Sequence, residues 1–210
     1  VERTFRDSTF TEFYCVYNDL QRIDVDYESD WKEDHVVLKA DYPVDVNAVK
    51  ATFDIQFGNI ERSTTTNTTW EFAQFEESMH KWADLSDNGF GLSIINDCKY
   101  GCDIKNGHIR PTLFRCATNP NHIQDREHHS FSFSIYPHSK RVNDSDVVKE
   151  GYNVNFPLYA IPQKAQEGTL APEYSLVSCD KENVVIETVK VAEDSDNIIV
   201  RAYETWNSKT

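Results

Sequence analysis

Apolar and polar residues along this chain alternate mostly at every second position rather than every third or fourth. Ile23, Val25 and Tyr27 are separated by Asp24, Asp26 and Glu28, the pattern of a strand with one buried and one wetted face. The acids are therefore read as a solvated face rather than a calcium site. Residues 10–17 are aromatic-rich and β-prone behind an Asp7-Ser8 turn, and residues 35–44 and 48–57 read as two further strands. Gly58-Asn59 is expected to turn the chain into a strand at 60–64, with a polar surface loop over 63–69.

The second half continues in the same manner. Residues 89–95 form a short apolar strand bounded by Asp87-Asn88-Gly89 and Asn96-Asp97. Asn106-Gly107 predicts a two-residue hairpin joining 100–105 to 108–115. Phe131, Phe133 and Ile135 alternate with serines. One helix is predicted, capped by Asp144 or Ser145, running to about Asn155 and stopped by Pro157. After a connector over 157–172, residues 183–191 and 197–203 read as strands joined by Asp194-Ser195-Asp196. So many strands beside a single helix predict an all-β chain, a large antiparallel β-sandwich with one short helix. They exclude a (β/α) barrel from this sequence. Residues 1–175 are expected to form the sandwich, and 176–210 the final strands leading into a truncated further β region. The chain stops directly after a strand, which reads as a cut rather than a natural terminus.

Composition narrows the partners. With 39% hydrophobic and 12% aromatic residues the chain can build a core, while a net charge of −14 argues against nucleic acid or an anionic membrane surface. No apolar run approaches the roughly 20 residues that span a bilayer. The start, VERTFRDSTF, lacks the basic and apolar regions of a signal peptide. Five scattered cysteines, an odd number, suit reduced thiols. A cytoplasmic location is expected.

The chemistry concentrates between His80 and Asp103, where Trp82, Asp84, Asn96, Asp97, Lys99 and Tyr100 surround two turns and a strand. Aromatic faces beside carboxylates and amides suit a neutral, hydroxyl-rich ligand such as a sugar. Asn96, Asp97, Lys99 and Tyr100 are the candidates for a substrate rim: Asn96 and Asp97 would pair hydroxyls, and Tyr100 would stack. The competing reading has Asn96-Asp97 satisfying backbone groups in a turn and Tyr100 packing on the neighbouring sheet. Structural roles are expected for Trp82, filling the core between the sheets, and for Asp84, holding a turn or pairing Arg62. Cys98-x3-Cys102, followed by Cys116 and His122, imitates zinc-ligand spacing. These thiols are read as small hydrophobes instead, and no metal ligand is assigned. His128 and His129, beside Asp125, point to opposite faces of a strand. Asp97 and Asp103 lack an acid/base context for glycoside hydrolysis.

Several blocks follow one another in a set order: FGNIER at 57–62 with Asn67, Thr68 and Trp70; HKWADLS at 80–86; GFG at 89–91; NDCKYG at 96–101; then Arg110, Leu113, Arg115, Asp125, His129 and Tyr136-Pro137-His138; and finally KVAED at 190–194 and RAYE at 201–204. In this order they resemble the β-rich C-terminal part of the family 38 α-mannosidases. The resemblance implies a retaining, zinc-dependent glycoside hydrolase. Its sandwich, of the galactose mutarotase-like supersandwich type, lies downstream of a catalytic α/β barrel. It also implies that the nucleophile and the zinc sit in that missing N-terminal catalytic domain, so no catalytic residue and no cofactor are assigned here and the chain alone is expected to be inactive. Its partners would be the catalytic domain and an α-mannoside, with the NDCKYG loop lent to the active-site rim. Loss of the barrel would bare an apolar face and favour self-association. The rival readings are a stand-alone carbohydrate-binding domain and a purely structural one.

Overall fold

The period-two pattern is realised as two facing antiparallel sheets, in a computed structural model that describes every residue except Leu170. In chain order the first strands are β1 (Glu2–Phe5), β2 (Ser8–Val16), β3 (Ile23–Asp30), β4 (Leu38–Lys39), β5 (Tyr42–Pro43), β6 (Lys50–Ile55) and β7 (Gly58–Ser63). A four-residue helix, α1 (Thr69–Phe72), precedes β8 (Glu77–Ser78), β9 (Trp82–Ser86), β10 (Gly91–Asn96), β11 (Gly101–Lys105), β12 (His108–Phe114) and β13 (His128–His138). Then come α2 (Val147–Asn155), β14 (Val184–Val191) and β15 (Ile198–Glu204). The large sheet runs β1-β2-β3-β13-β10-β9-β6-β7, the smaller β4-β12-β11-β8 with β5 also on β12, and β14–β15 form a separate hairpin.

The alternation read in β3 sets its orientation. Val25 and Tyr27 are buried between the sheets against Phe131 and Phe133 of β13. The acids on the other face meet the serines of SFSFSIYP: Ser134 donates to Asp24 at 2.6 Å and Ser132 to Asp26 at 2.7 Å. Apolar and polar rungs thus run in register across both strands. A second part of the core gathers Phe53, Leu85, Ile94, Ile104 and Ile109, with Cys102 fully buried among them. At the far end Trp31 stacks on Phe114 and donates its indole N–H to Cys116 Sγ.

Strands β9 and β10 are buried on both faces. Ala83, Leu85 and Ile94 point between the sheets, while Trp82, Ile95, Tyr136 and Val147 form a separate cluster under α2. Trp82 therefore fills the space beneath the helix rather than the core between the sheets, because β9 presents it to the opposite face from Ala83 and Leu85. The contact requires Gly151, where a Cβ would come within 2.9 Å of Trp82 Cδ1. Asp84 shares that outer face and pairs neither with a turn nor with Arg62. It accepts from Ser86 Oγ at 2.6 Å and Ser93 Oγ at 2.7 Å, and lies 2.7 Å from His138 Nε2. Arg62 instead meets Glu77 at 3.3 Å, donates to the Ser78 carbonyl at 2.8 Å and lies over the Phe53 ring.

Other local expectations shift. The hairpin turn after β6 is Gln56-Phe57, not Gly58-Asn59, with Phe57 at φ 57°. The stretch over 35–44 breaks into the two short strands β4 and β5. The expected helix begins after Asp146, a short 3-10 turn (Val142–Asp144) occupying the predicted cap region. A second helix, α1, starts at the end of the polar tract over 63–69. Its signal is the Thr68-x-x-Glu71 capping box, with Thr68 Oγ1 accepting the Glu71 amide at 3.1 Å. The β1 strand, inside a stretch read only for its lack of a leader, pairs along β2. The connector over 157–172 includes position 170, which lies outside the described residues. Among the described residues no helix is long and apolar enough to cross a membrane.

Two consequences are measurable. Trp82→Ala should cost about 3–5 kcal/mol, as for other large buried aromatics cut back to alanine, read as a lower denaturation midpoint. Glu71 accepts hydroxyls of Ser63 and Thr65 and amides of Thr68 and Asn67, which hold its carboxyl down at about 2 against an ordinary 4.5. A depressed carboxyl stabilises fully above its unfolded value and loses that contribution as pH falls toward the folded one. Amide protection at Asn67 and Thr68 should therefore fall between pH 4.5 and about 2. In Glu71→Gln, whose amide oxygen still accepts but does not titrate, it should not change over that interval.

Candidate functional site

The loop between β10 and β11 is fixed from its base. Asn96 is 2% exposed, and all its polar groups are engaged. Its amide N–H reaches the Lys81 carbonyl at 2.9 Å, its side-chain NH2 donates to the His80 carbonyl, and its Oδ1 accepts the Lys99 amide at 2.7 Å. Its own carbonyl accepts Asn155 Nδ2 from the last turn of α2 at 3.0 Å. Asn96 is thus a brace for the turn, buried away from any ligand hydroxyl.

The other three rim candidates separate. Asp97 Oδ2 accepts the Ser132 amide at 3.1 Å, tying the loop to β13, while its Oδ1 is buried without a protein partner. Lys99 turns toward the core end, its ammonium 4.5 Å from the Phe131 ring centroid and 4.9 Å from that of Phe114. This is a cation–π seal. Tyr100 alone of the four stands clear, 54% exposed, with its ring edge-to-face on His80 at 6.3 Å.

Tyr100 opens onto a groove of 550 Å³ that the sequence did not reveal as a unit. Its walls come from distant segments: Phe57 in the β6–β7 turn, His80 and Lys81 before β9, and Tyr152 and Phe156 at the end of α2. Sequence marks Phe57 only as part of FGNIER, and His80 and Lys81 only as part of HKWADLS. No short-range pattern joins them to Tyr152. The one local sign is the backbone of Phe57, a bulky residue in the left-handed region. That turn sets its ring edge-on to Tyr203 at 6.0 Å and beneath the Arg201 guanidinium.

The floor is charged but balanced. Lys81 Nζ lies 3.0 Å from Asp54 Oδ2 and 4.9 Å from the Tyr152 ring centroid. Burial pushes the Asp54 carboxyl above its ordinary range, opposed by the charge and N–H groups of Lys81. Tyr152 and Tyr203 share a hydroxyl contact at 2.8 Å, and burial with that bond raises the Tyr203 hydroxyl. Aromatic walls with a few convergent polar groups can take the C–H face of a pyranose and direct its hydroxyls.

The thiols play no part in this arrangement. Burial and the Asp97 carboxylate push Cys98 up to about 11, and burial takes Cys102 to about 12, so neither is a ready thiolate. Asp125 and His129 meet only through the backbone: His129 Nε2 contacts the Asp125 carbonyl at 2.8 Å, and the Asp125 carboxylate accepts the Cys116 amide. Among the described residues no three His, Cys, Asp or Glu side chains cluster so as to hold a metal ion.

Comparison with known proteins gives this architecture a place. Residues 1–122 match the family model described as glycosyl hydrolases family 38 C-terminal domain, and residues 183–210 match that of the family 38 C-terminal beta sandwich domain. Alpha-mannosidase G of Dictyostelium discoideum is 38% identical over 93% of this chain, and human alpha-mannosidase 2C1 is 39% identical over 86%. The chain spans 18% of the length of each. The crystal structure of an alpha-mannosidase from Enterococcus faecalis V583 superposes with a TM-score of 0.85 at 18% identity, covering 96% of this chain and 24% of that one. The chain belongs to glycosyl hydrolase family 38, as a C-terminal β-sandwich region of the α-mannosidases.

Proposed function

We propose that this chain is the non-catalytic sandwich of an α-mannosidase, supporting a catalytic barrel and lending the 96–101 loop to the rim of its active site. In this reading the whole protein hydrolyses α-linked mannosides in the cytoplasm, with nucleophile and zinc held by the catalytic domain of the same polypeptide. Residues 1–175 supply the sandwich and 176–210 the final strands leading into a further β region. The separate β14–β15 hairpin, and a second family match beginning at residue 183, support that division.

The observation that carries the reading is the exposed Tyr100 at the mouth of an aromatic groove, on a loop braced at Asn96, Asp97 and Lys99. Roles divide accordingly: Tyr100 covers the apolar face of a sugar ring, while Asn96, Asp97 and Lys99 hold it in place. A rigid sheet presenting a short loop is a common way to position a binding group. The same groove favours one alternative, a carbohydrate-binding domain that acts without the barrel.

The test is kinetic, on the full-length enzyme. Tyr100→Ala should lower kcat/KM for an α-mannoside about fivefold, the size of an aromatic contact worth about 1 kcal/mol, with the thermal midpoint unchanged. Unaltered kinetics would leave only a scaffolding role. Submillimolar binding of mannobiose to residues 1–210 alone would instead favour the carbohydrate-binding alternative.

A further inference from the structure

The segment between β7 and β8 presents three large aromatics to solvent on a rigid mount. Trp70 is 78% exposed, Phe72 62% and Phe75 70%, with the two phenylalanine rings edge-to-face at 5.6 Å. None of the residues of α1 is buried. Such a segment would ordinarily fray, yet this one is pinned from below. Glu71 takes hydrogen bonds from Ser63, Thr65, Asn67 and Thr68, and Lys105 Nζ donates to the Ser63 and Thr65 carbonyls at 2.9 and 3.3 Å. A preorganised cluster rich in Trp and Phe is what binding hot spots look like, because its ordering cost is met before the partner arrives.

The cluster lies on the same edge of the molecule as the Tyr100 loop. Glu77 and Ser78 of β8 pair with Cys102 and Gly101, and the Met79 amide reaches the Tyr100 carbonyl at 2.8 Å. Glu76 packs so closely on Gly101 that a Cβ there would clash with its Oε1. A body seated on Trp70 and Phe75 would therefore also approach the groove mouth.

We propose that Trp70, Phe72 and Phe75 form the seat of the catalytic domain of the same polypeptide, an inference that rests on the function proposed above. The relatives carry most of their length outside the matched region, this chain spanning 18% of each, so a large covering body belongs to the protein. A second copy of these 210 residues is the poorer occupant: each carries a net charge of −14, and like charge opposes their pairing.

Hydroxyl-radical footprinting of the full-length enzyme tests this. Oxidation of Trp70, Phe72 and Phe75 should be slowed several-fold relative to the same residues in urea-unfolded protein, independently of protein concentration. Trp70→Asp with Phe75→Asp should speed proteolytic separation of the sandwich from the rest several-fold, while the sandwich itself stays resistant. Free oxidation of the native protein would overturn the proposal, as would protection that disappears on dilution, which marks a second copy. Should the wild-type enzyme cleave no mannoside while Trp70 is protected, the proposed function fails and the seat stands. Mannoside cleavage with Trp70 freely oxidised would refute the seat and leave the proposed function intact.

Discussion

Strand β9 has no wetted face, and much of the molecule follows from how its outer side is covered. Its inner residues Ala83 and Leu85 are met by the smaller sheet, but Trp82 and Asp84 on the other side need cover of their own. Helix α2 supplies it for Trp82, closing over the indole with Val147 and a glycine at the point of contact. Asp84, taken out of water, is matched by two serine hydroxyls and His138, as a buried carboxylate must be.

The same helix then builds the groove. Having been placed by Trp82, its last turn delivers Tyr152 and Phe156 to one wall and sends Asn155 to the carbonyl of Asn96. That bond joins the base of the 96–101 loop to the helix, so the loop and that wall of the groove form one unit. A core contact and a groove wall are therefore two ends of one element. Lys99 and Asp97 complete the mounting by sealing the core end and tying to β13, which leaves Tyr100 as the only member of the loop's polar-aromatic set turned outward.

Two kinds of exposed aromatic result. Tyr100 and Phe57 line a concavity with charged and amide neighbours, suited to a small polar ligand. Trp70, Phe72 and Phe75 stand exposed ahead of β8, suited to being received by a pocket on a partner. The aromatic segment leads into β8, which pairs with the strand that follows Tyr100.

The residues themselves determined the sheets: period-two alternation in β3 and β13, the Asn106-Gly107 hairpin and the motif order were sufficient for an antiparallel sandwich of this family, since each depends on neighbours in sequence. They also marked the 96–101 loop. Tertiary structure alone decided which face of β9 held Trp82, that Asp84 sought His138 rather than Arg62, and that Phe57, Lys81, Tyr100 and Tyr152 share one groove. A strand's alternation separates two faces without saying what covers either, and a groove assembled from segments about a hundred residues apart leaves no periodicity to read.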